Sequence, residues 1–159
     1  SLLGSNGAKG AAMFGSIVVG TDGSETATEA VRQAIDLAKE TGARLEVVSA
    51  YAPVPVSRLR SEASDAPSDV QWMINEREDV EATLGAVVTQ AAAIGIECSP
   101  HSRQGDPADA ILDVAEETSA DLIVVGNKGM TGAKRFLLGS VPNKVSHHAP
   151  CSVLIIRTT

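Results

Sequence analysis

The chain has 159 residues, 43% of them hydrophobic, which is enough for one well-buried domain and too few for two ordinary ones. Its formal net charge of −7 and its lack of basic runs exclude a surface that attracts nucleic-acid backbones. No apolar stretch approaches the roughly 18 residues of a membrane span, and the two cysteines build no disulfide framework, so we expect a cytoplasmic protein with no nucleic-acid or membrane partner.

Residues 1–12 are small, polar and glycine-rich, and they precede Met13. We interpret them as an expression-tag remnant that is disordered or irregular, and we leave them out of the fold prediction. The natural domain is expected to cover residues 13–159.

From there on, short apolar runs alternate with helical spacing, which is typical of alternating strands and helices. Residues 17–19 are predicted to form the first strand, and Ser24 is predicted to cap a helix that ends near Gly42. Residues 45–51 are predicted as the second strand. Residues 52–69 contain three prolines among charged and small residues, which predicts a long loop.

The second half of the chain continues the alternation. A long amphipathic helix is predicted to stop at Gly95 and to be followed by a strand over residues 96–102. Asp106 and Pro107 are typical of the first turn of a third helix. Residues 122–125 are apolar at every position, which predicts a central strand covered on both faces. A fourth helix near Ser140 and a fifth strand over residues 153–156 complete the count.

Five strands and four helices joined by right-handed crossovers predict a Rossmann-like α/β fold. It is a single doubly wound parallel sheet of order 3-2-1-4-5 with helices on both faces. In such sheets the ligand crevice lies beyond the carboxyl ends of the strands, where the strand order reverses. Here that point falls between strands one and four. The turns that follow them, residues 20–23 and 126–129, are therefore predicted to line one crevice.

The second of these turns has an unusual composition. An apolar strand that ends in Val124-Val125 runs into the spacing Gly126-x2-Gly129-x9-Gly139-Ser140. Glycines permit positive φ and close approach of backbone N–H groups, and a helix that begins at Ser140 adds its dipole and a hydroxyl group. This arrangement suits a phosphate-bearing ligand. The chain matches neither the P-loop pattern nor the dinucleotide fingerprint, so a P-loop ATPase and an NAD-binding protein are both disfavoured.

Three segments together resemble the universal stress protein family: residues 18–24, residues 121–126, and the glycine segment that closes on Gly139-Ser140. The resemblance covers residues 14–158. Members that carry the intact glycine segment bind ATP, so the resemblance implies the ATP-binding branch of the family.

The resemblance also implies roles for individual residues. Thr21 and Asp22 would lie beside the adenosine or a metal, with Asp22 as a Mg²⁺ ligand shared with the nucleotide phosphates. Ala50 would touch the adenine. The phosphate side would take backbone amides, one cation and one hydroxyl from Gly126, Lys128, Gly129, Gly139, Ser140 and Val141. Gly20 and Val125, at the ends of their strands, complete the predicted site.

Alternatives remain for several of these residues. Asp22 is also a good turn former ahead of the Ser24 cap, and Lys128 is also compatible with a solvated surface charge. Ser140 lacks His and Asp partners at motif spacing, so no catalytic residue is predicted. Three functions stay open: an ATP-binding regulatory module in stress response, a slow ATPase or phosphotransferase, and a nucleotide-independent dimeric interaction protein.

The fifth strand is also informative about assembly. An apolar strand at a sheet edge must be paired or covered to avoid aggregation. A homodimer through residues 153–156 is the natural solution and resembles the family's dimers. A protein partner of unknown identity is expected in addition.

Overall fold

The structure is a computed structural model that describes residues 14–51, 76–127 and 140–158. These residues form a five-stranded parallel sheet and four helices. The strands are β1 (Ser16–Gly20), β2 (Arg44–Tyr51), β3 (Cys98–Gln104), β4 (Leu122–Gly126) and β5 (Ser152–Ile156). The helices are α1 (Glu25–Thr41), α2 (Glu76–Ala92), α3 (Pro107–Glu117) and α4 (Ser140–His148). The strand order is β3-β2-β1-β4-β5, which confirms the predicted doubly wound α/β fold.

Local signals set three of the helix ends as predicted. The Ser24 side chain accepts a hydrogen bond from the Ala27 N–H, and α1 ends at Gly42, whose φ is +74°. The Asp106 side chain accepts from the Asp109 N–H at 3.0 Å, and Pro107 occupies the first helical turn of α3. These caps satisfy backbone N–H groups that the helices themselves leave without partners.

Helices cover both faces of the sheet because successive strand residues point to opposite sides. Ile17 and Val19 of β1 belong to the core that α1 and α2 cover, while Val18 between them belongs to the core that α3 and α4 cover. β4 alternates in the same way, and its residues 122–125 are all buried. Two apolar cores therefore hold the central strands rigidly, which fixes where their carboxyl ends lie.

The third strand starts later than predicted, at Cys98 rather than at residue 96. Ile96 lies just beyond the turn that ends α2: its N–H donates back to the Ala91 carbonyl at 3.0 Å, and its side chain is buried. Gly95, with φ of +80°, makes that turn. Apolar character therefore indicated burial at residue 96 correctly, but as a helix-end contact.

Cys98 and Cys151 are free thiols, and they pack against opposite faces of the sheet. Burial, with a smaller contribution from Glu46, raises the pKa of Cys98 to about 11. Burial also raises the pKa of Cys151. Across the described ranges, none of the helices is both long and apolar enough to cross a bilayer.

Candidate functional site

The carboxyl ends of β1 and β4 meet at the point where the strand order reverses. Val19 of β1 pairs with Val47 of β2 on one side and with Val124 of β4 on the other. The chain leaves β1 through Thr21 and leaves β4 through Asn127. Because the two strands are parallel neighbours, both turns emerge at one edge of the sheet, about 5 Å apart.

The turn after β1 is held by its own polar groups. The Thr21 N–H donates to the Val48 carbonyl at 2.9 Å, and the Thr21 hydroxyl oxygen accepts from the Gly23 N–H at 3.1 Å. Thr21 is only 1% exposed. Its amide is bound to the sheet and its hydroxyl oxygen to the turn, so Thr21 fixes the shape of the backbone at this point.

Asp22 is exposed, and its Oδ1 accepts from the Ser24 N–H at 2.9 Å. The sequence allowed Asp22 either a turn-forming role or a ligand role, and this hydrogen bond shows the turn-forming role. A carboxylate has two oxygens, so the turn leaves Oδ2 for another partner. Within residues 14–51, 76–127 and 140–158, no group of three His, Cys, Asp or Glu side chains is arranged to hold a metal. A cation at Asp22 would therefore take most of its ligands from phosphate oxygens and water.

Gly23 adopts the left-handed conformation in this turn, with φ of +82°. A Cβ atom built on Gly23 would lie 2.9 Å from the Thr83 Oγ1 of α2. The turn therefore packs directly against α2, a contact that the sequence did not indicate. Neither Gly20 nor Gly126 has positive φ, so within residues 20–23 and 126–127 it is Gly23 that uses the conformational freedom of glycine.

The turn after β4 is bound to the end of the chain. The Asn127 N–H donates to the Ile156 carbonyl at 2.9 Å, and the Asn127 Oδ1 accepts from both the N–H and the hydroxyl of Thr158. Gly126 lies against the same threonine, because a Cβ at Gly126 would be 3.4 Å from the Thr158 Cγ2. The sequence predicts Asn127 in the crevice turn but does not indicate its pairing with Thr158, since 31 residues separate the two and Thr158 belongs to no motif.

The remaining described residues of the predicted site surround this edge. Val125 and Val141 are buried in the core that α3 and α4 share, and Ala50 packs against that core while staying partly exposed. Ser140 is exposed at the first position of α4. Since β4 and β5 are parallel, the helix between them must run back across the sheet, so its N-terminus lies at the carboxyl edge. Lys128, Gly129 and Gly139 lie outside the described residues.

One ion-paired cluster flanks the edge. The Lys144 Nζ of α4 lies 2.9 Å from Asp109 Oδ1 and 3.4 Å from Asp106 Oδ2, both at the start of α3. The hydrogen bond to Asp109 is the main cause of the raised pKa of Lys144. The lysine therefore stays charged but is directed toward acidic partners, and it ties α4 to α3 one helical turn beyond Ser140.

Comparison with known proteins assigns this architecture to a family. The universal stress protein family matches residues 13–157. Universal stress protein MJ0531 of Methanocaldococcus jannaschii is 35% identical over 148 residues, which cover 91% of this chain and 83% of that protein.

Two solved structures add information on ligands. The crystal structure of a universal stress protein in complex with cAMP is 34% identical, with a TM-score of 0.70, and the match covers 92% of this chain and 99% of that one. The universal stress protein from Archaeoglobus fulgidus in complex with dAMP is 26% identical, with a TM-score of 0.64 and coverage of 91% and 99%.

Proposed function

The chain belongs to the universal stress protein family, and we propose that it binds ATP at the carboxyl edge between β1 and β4 and acts as a nucleotide-dependent regulatory module in stress response. The observation that carries this proposal is the convergence of the Thr21 turn, the Gly126 turn and the N-terminus of α4 at one edge. Relatives that were crystallised with cAMP and dAMP support an adenine nucleotide as the ligand. The cytoplasmic location remains a prediction.

The proposed contacts follow the chemistry of the residues. Ala50 offers a small apolar surface to the adenine, and the turn that Thr21 holds would lie beside the adenosine. Ser140 and Val141 offer the first backbone N–H groups of α4, which a helix N-terminus directs at anions. The full proposed set is Gly20, Thr21, Asp22, Ala50, Val125, Gly126, Lys128, Gly129, Gly139, Ser140 and Val141.

Calorimetric titration of the wild-type protein with ATP, cAMP and adenosine tests the proposal directly. Binding of ATP in preference to adenosine is expected, because the phosphates add contacts to backbone amides. Ser140→Ala should weaken ATP binding several-fold, while Ser146→Ala, at the other end of α4, serves as the matched control. Absence of all nucleotide binding would instead favour the nucleotide-independent interaction protein.

The proposed role of Mg²⁺ is tested at Asp22. Asp22→Asn keeps an oxygen that can accept from the Ser24 N–H but removes the negative charge. Affinity for Mg-ATP should fall more than affinity for metal-free ATP. Equal losses would assign Asp22 to the nucleoside and remove it from the metal site.

A slow ATPase or phosphotransferase is the enzymatic alternative. Asp22 is the carboxylate that the sequence placed in the crevice, and one carboxylate orients water without giving an efficient hydrolase. Phosphate release measured over hours separates the two possibilities. Release that Asp22→Asn abolishes would favour the enzyme.

We also propose a homodimer through β5. This strand forms one edge of the sheet, and Leu154 on it is 39% exposed. Leu154 borders a groove of about 500 Å³ whose other wall is α1, including Leu37. The opposite edge, β3, carries Pro100 and Arg103, residue types that discourage strand pairing. The apolar edge is therefore the better surface for a second copy.

Light scattering after size-exclusion chromatography tests this assembly. Leu154→Glu should convert a dimer into a monomer, because the new charge would be buried at the paired edge. Ile94→Glu is the matched control, since Ile94 is 45% exposed at the far end of α2. A dimer that survives Leu154→Glu would exclude β5 as the interface.

A further inference from the structure

The segment that follows β5 is fastened to the residue that follows β4. The backbone N–H and the hydroxyl of Thr158 both donate to Asn127 Oδ1, each at 3.0 Å. The Asn127 N–H donates in turn to the Ile156 carbonyl at 2.9 Å. Three hydrogen bonds therefore act on a single residue, and they define the direction in which the chain leaves β4.

Packing reinforces these bonds on the other side of the threonine. The Thr158 methyl group faces Gly126, where a Cβ would come within 3.4 Å of Cγ2. The hydroxyl group meanwhile bonds to Asn127, so a single side chain contacts two consecutive residues of the turn. Both Asn127 and Thr158 are partly buried, which shields their bonds from competition with water.

We propose that Asn127 and Thr158 are positioning residues for the phosphate end of the nucleotide. The inference rests on the proposed function and identifies the contacts that hold Gly126 and Asn127, the first two residues of the glycine segment. Both bonds occupy the same Asn127 oxygen, so the side chain is directed toward the C-terminal segment. Asn127 therefore acts through its backbone, by orienting the chain that continues from Gly126.

Variants at Thr158 test this role with little change in shape. Thr158→Val removes the hydroxyl donor but keeps the branched side chain and the backbone N–H. Affinity for ATP should fall about fivefold, as expected for one lost hydrogen bond, while affinity for adenosine should not change. Thr158→Ser keeps the hydroxyl and loses only the methyl contact with Gly126, so its ATP affinity should stay closer to that of the wild-type protein than the affinity of Thr158→Val. Thr89→Val, on the exposed surface of α2, is the matched control.

A second measurement does not depend on nucleotide. Hydrogen exchange of the Asn127 amide should be faster in Thr158→Val than in the wild-type protein and in Thr89→Val. Asn127→Leu, which removes the acceptor for both bonds, should lower ATP affinity further than Thr158→Val. If Asn127→Leu does not fold, the Thr158 series still decides the question.

The outcomes separate this inference from the proposed function. A wild-type protein that binds no nucleotide refutes the proposed function, and the positioning role with it, before any variant is made. Wild-type binding of ATP with unchanged affinity in Thr158→Val overturns the positioning role alone. Equal losses for ATP and adenosine, or unchanged amide exchange, also overturn it.

Discussion

Replacing Gly23 with alanine separates two effects that the turn after β1 combines. The first is backbone strain, because an L-residue held at φ of +82° costs about 1–2 kcal/mol. The second is a clash, because the new Cβ would lie 2.9 Å from Thr83 Oγ1 and 3.5 Å from Thr83 Cγ2. Thr83 is β-branched and lies in a helix, so its χ1 is stiff and relief requires a disfavoured rotamer or movement of α2, which costs about 1–3 kcal/mol more. We expect Gly23→Ala to lower the free energy of unfolding by about 2–5 kcal/mol.

Gly42 supplies the matched control. Its φ is +74°, close to that of Gly23, but no atom lies within 4 Å of a Cβ built there. Gly42→Ala should therefore cost only the conformational part, about 1–2 kcal/mol. The double variant Gly23→Ala/Thr83→Ala should recover most of the difference. Urea unfolding followed by circular dichroism measures all four proteins. Equal destabilisation by Gly23→Ala and Gly42→Ala would refute the proposed clash.

Two further predictions concern buried polar groups around β2 and β3. The Glu46 side chain is 5% exposed and accepts hydrogen bonds from His101 Nε2 at 2.7 Å and from Arg44 Nε at 3.1 Å. His101→Leu would leave one oxygen of this buried carboxylate without its partner, so it should lower the free energy of unfolding by about 1–3 kcal/mol. His101→Leu/Glu46→Leu should be more stable than His101→Leu alone in urea titrations, and a less stable double variant would contradict this account. The raised pKa of Cys98 means that the folded state favours the neutral thiol. The contribution of this thiol to stability is therefore complete below pH 9.0, and it is lost as pH rises toward about 11 because the unfolded chain ionises first. Cys98→Ala should therefore flatten the loss of stability over that range, and parallel curves for the two proteins would be inconsistent with the shift.

Short-range signals explain why so much of the fold was predictable. Ser24 and Asp106 each accept a hydrogen bond from an amide three residues away, so neighbouring residues in the sequence are enough to predict these caps. The all-apolar run 122–125 identified β4 because a strand covered on both faces needs no polar side. The strand order then followed from chain connectivity.

The features that sequence reasoning missed depend on distant residues. Gly23 meets Thr83, Asn127 meets Thr158, and Glu46 meets His101 across 55 positions. Glu46 lies in a strand that was predicted from its apolar residues, and nothing nearby indicated a buried carboxylate. β3 is mostly polar because it lies at an edge, so hydrophobic pattern located it only through the preceding Ile96.

The polar groups at the carboxyl edge also bear on how a ligand would be bound there. Thr21, Asp22 and Asn127 each satisfy a hydrogen bond inside the protein. Ordering a mobile side chain on binding costs about 0.5–1.5 kcal/mol, and these three are already ordered by the fold. Recognition of the proposed nucleotide would therefore depend on the shape of two fixed turns and on the N-terminus of α4, where Ser140 is exposed at the first position. Substitutions that loosen the turns should therefore lower the affinity for the proposed nucleotide, even where the altered side chain does not contact it.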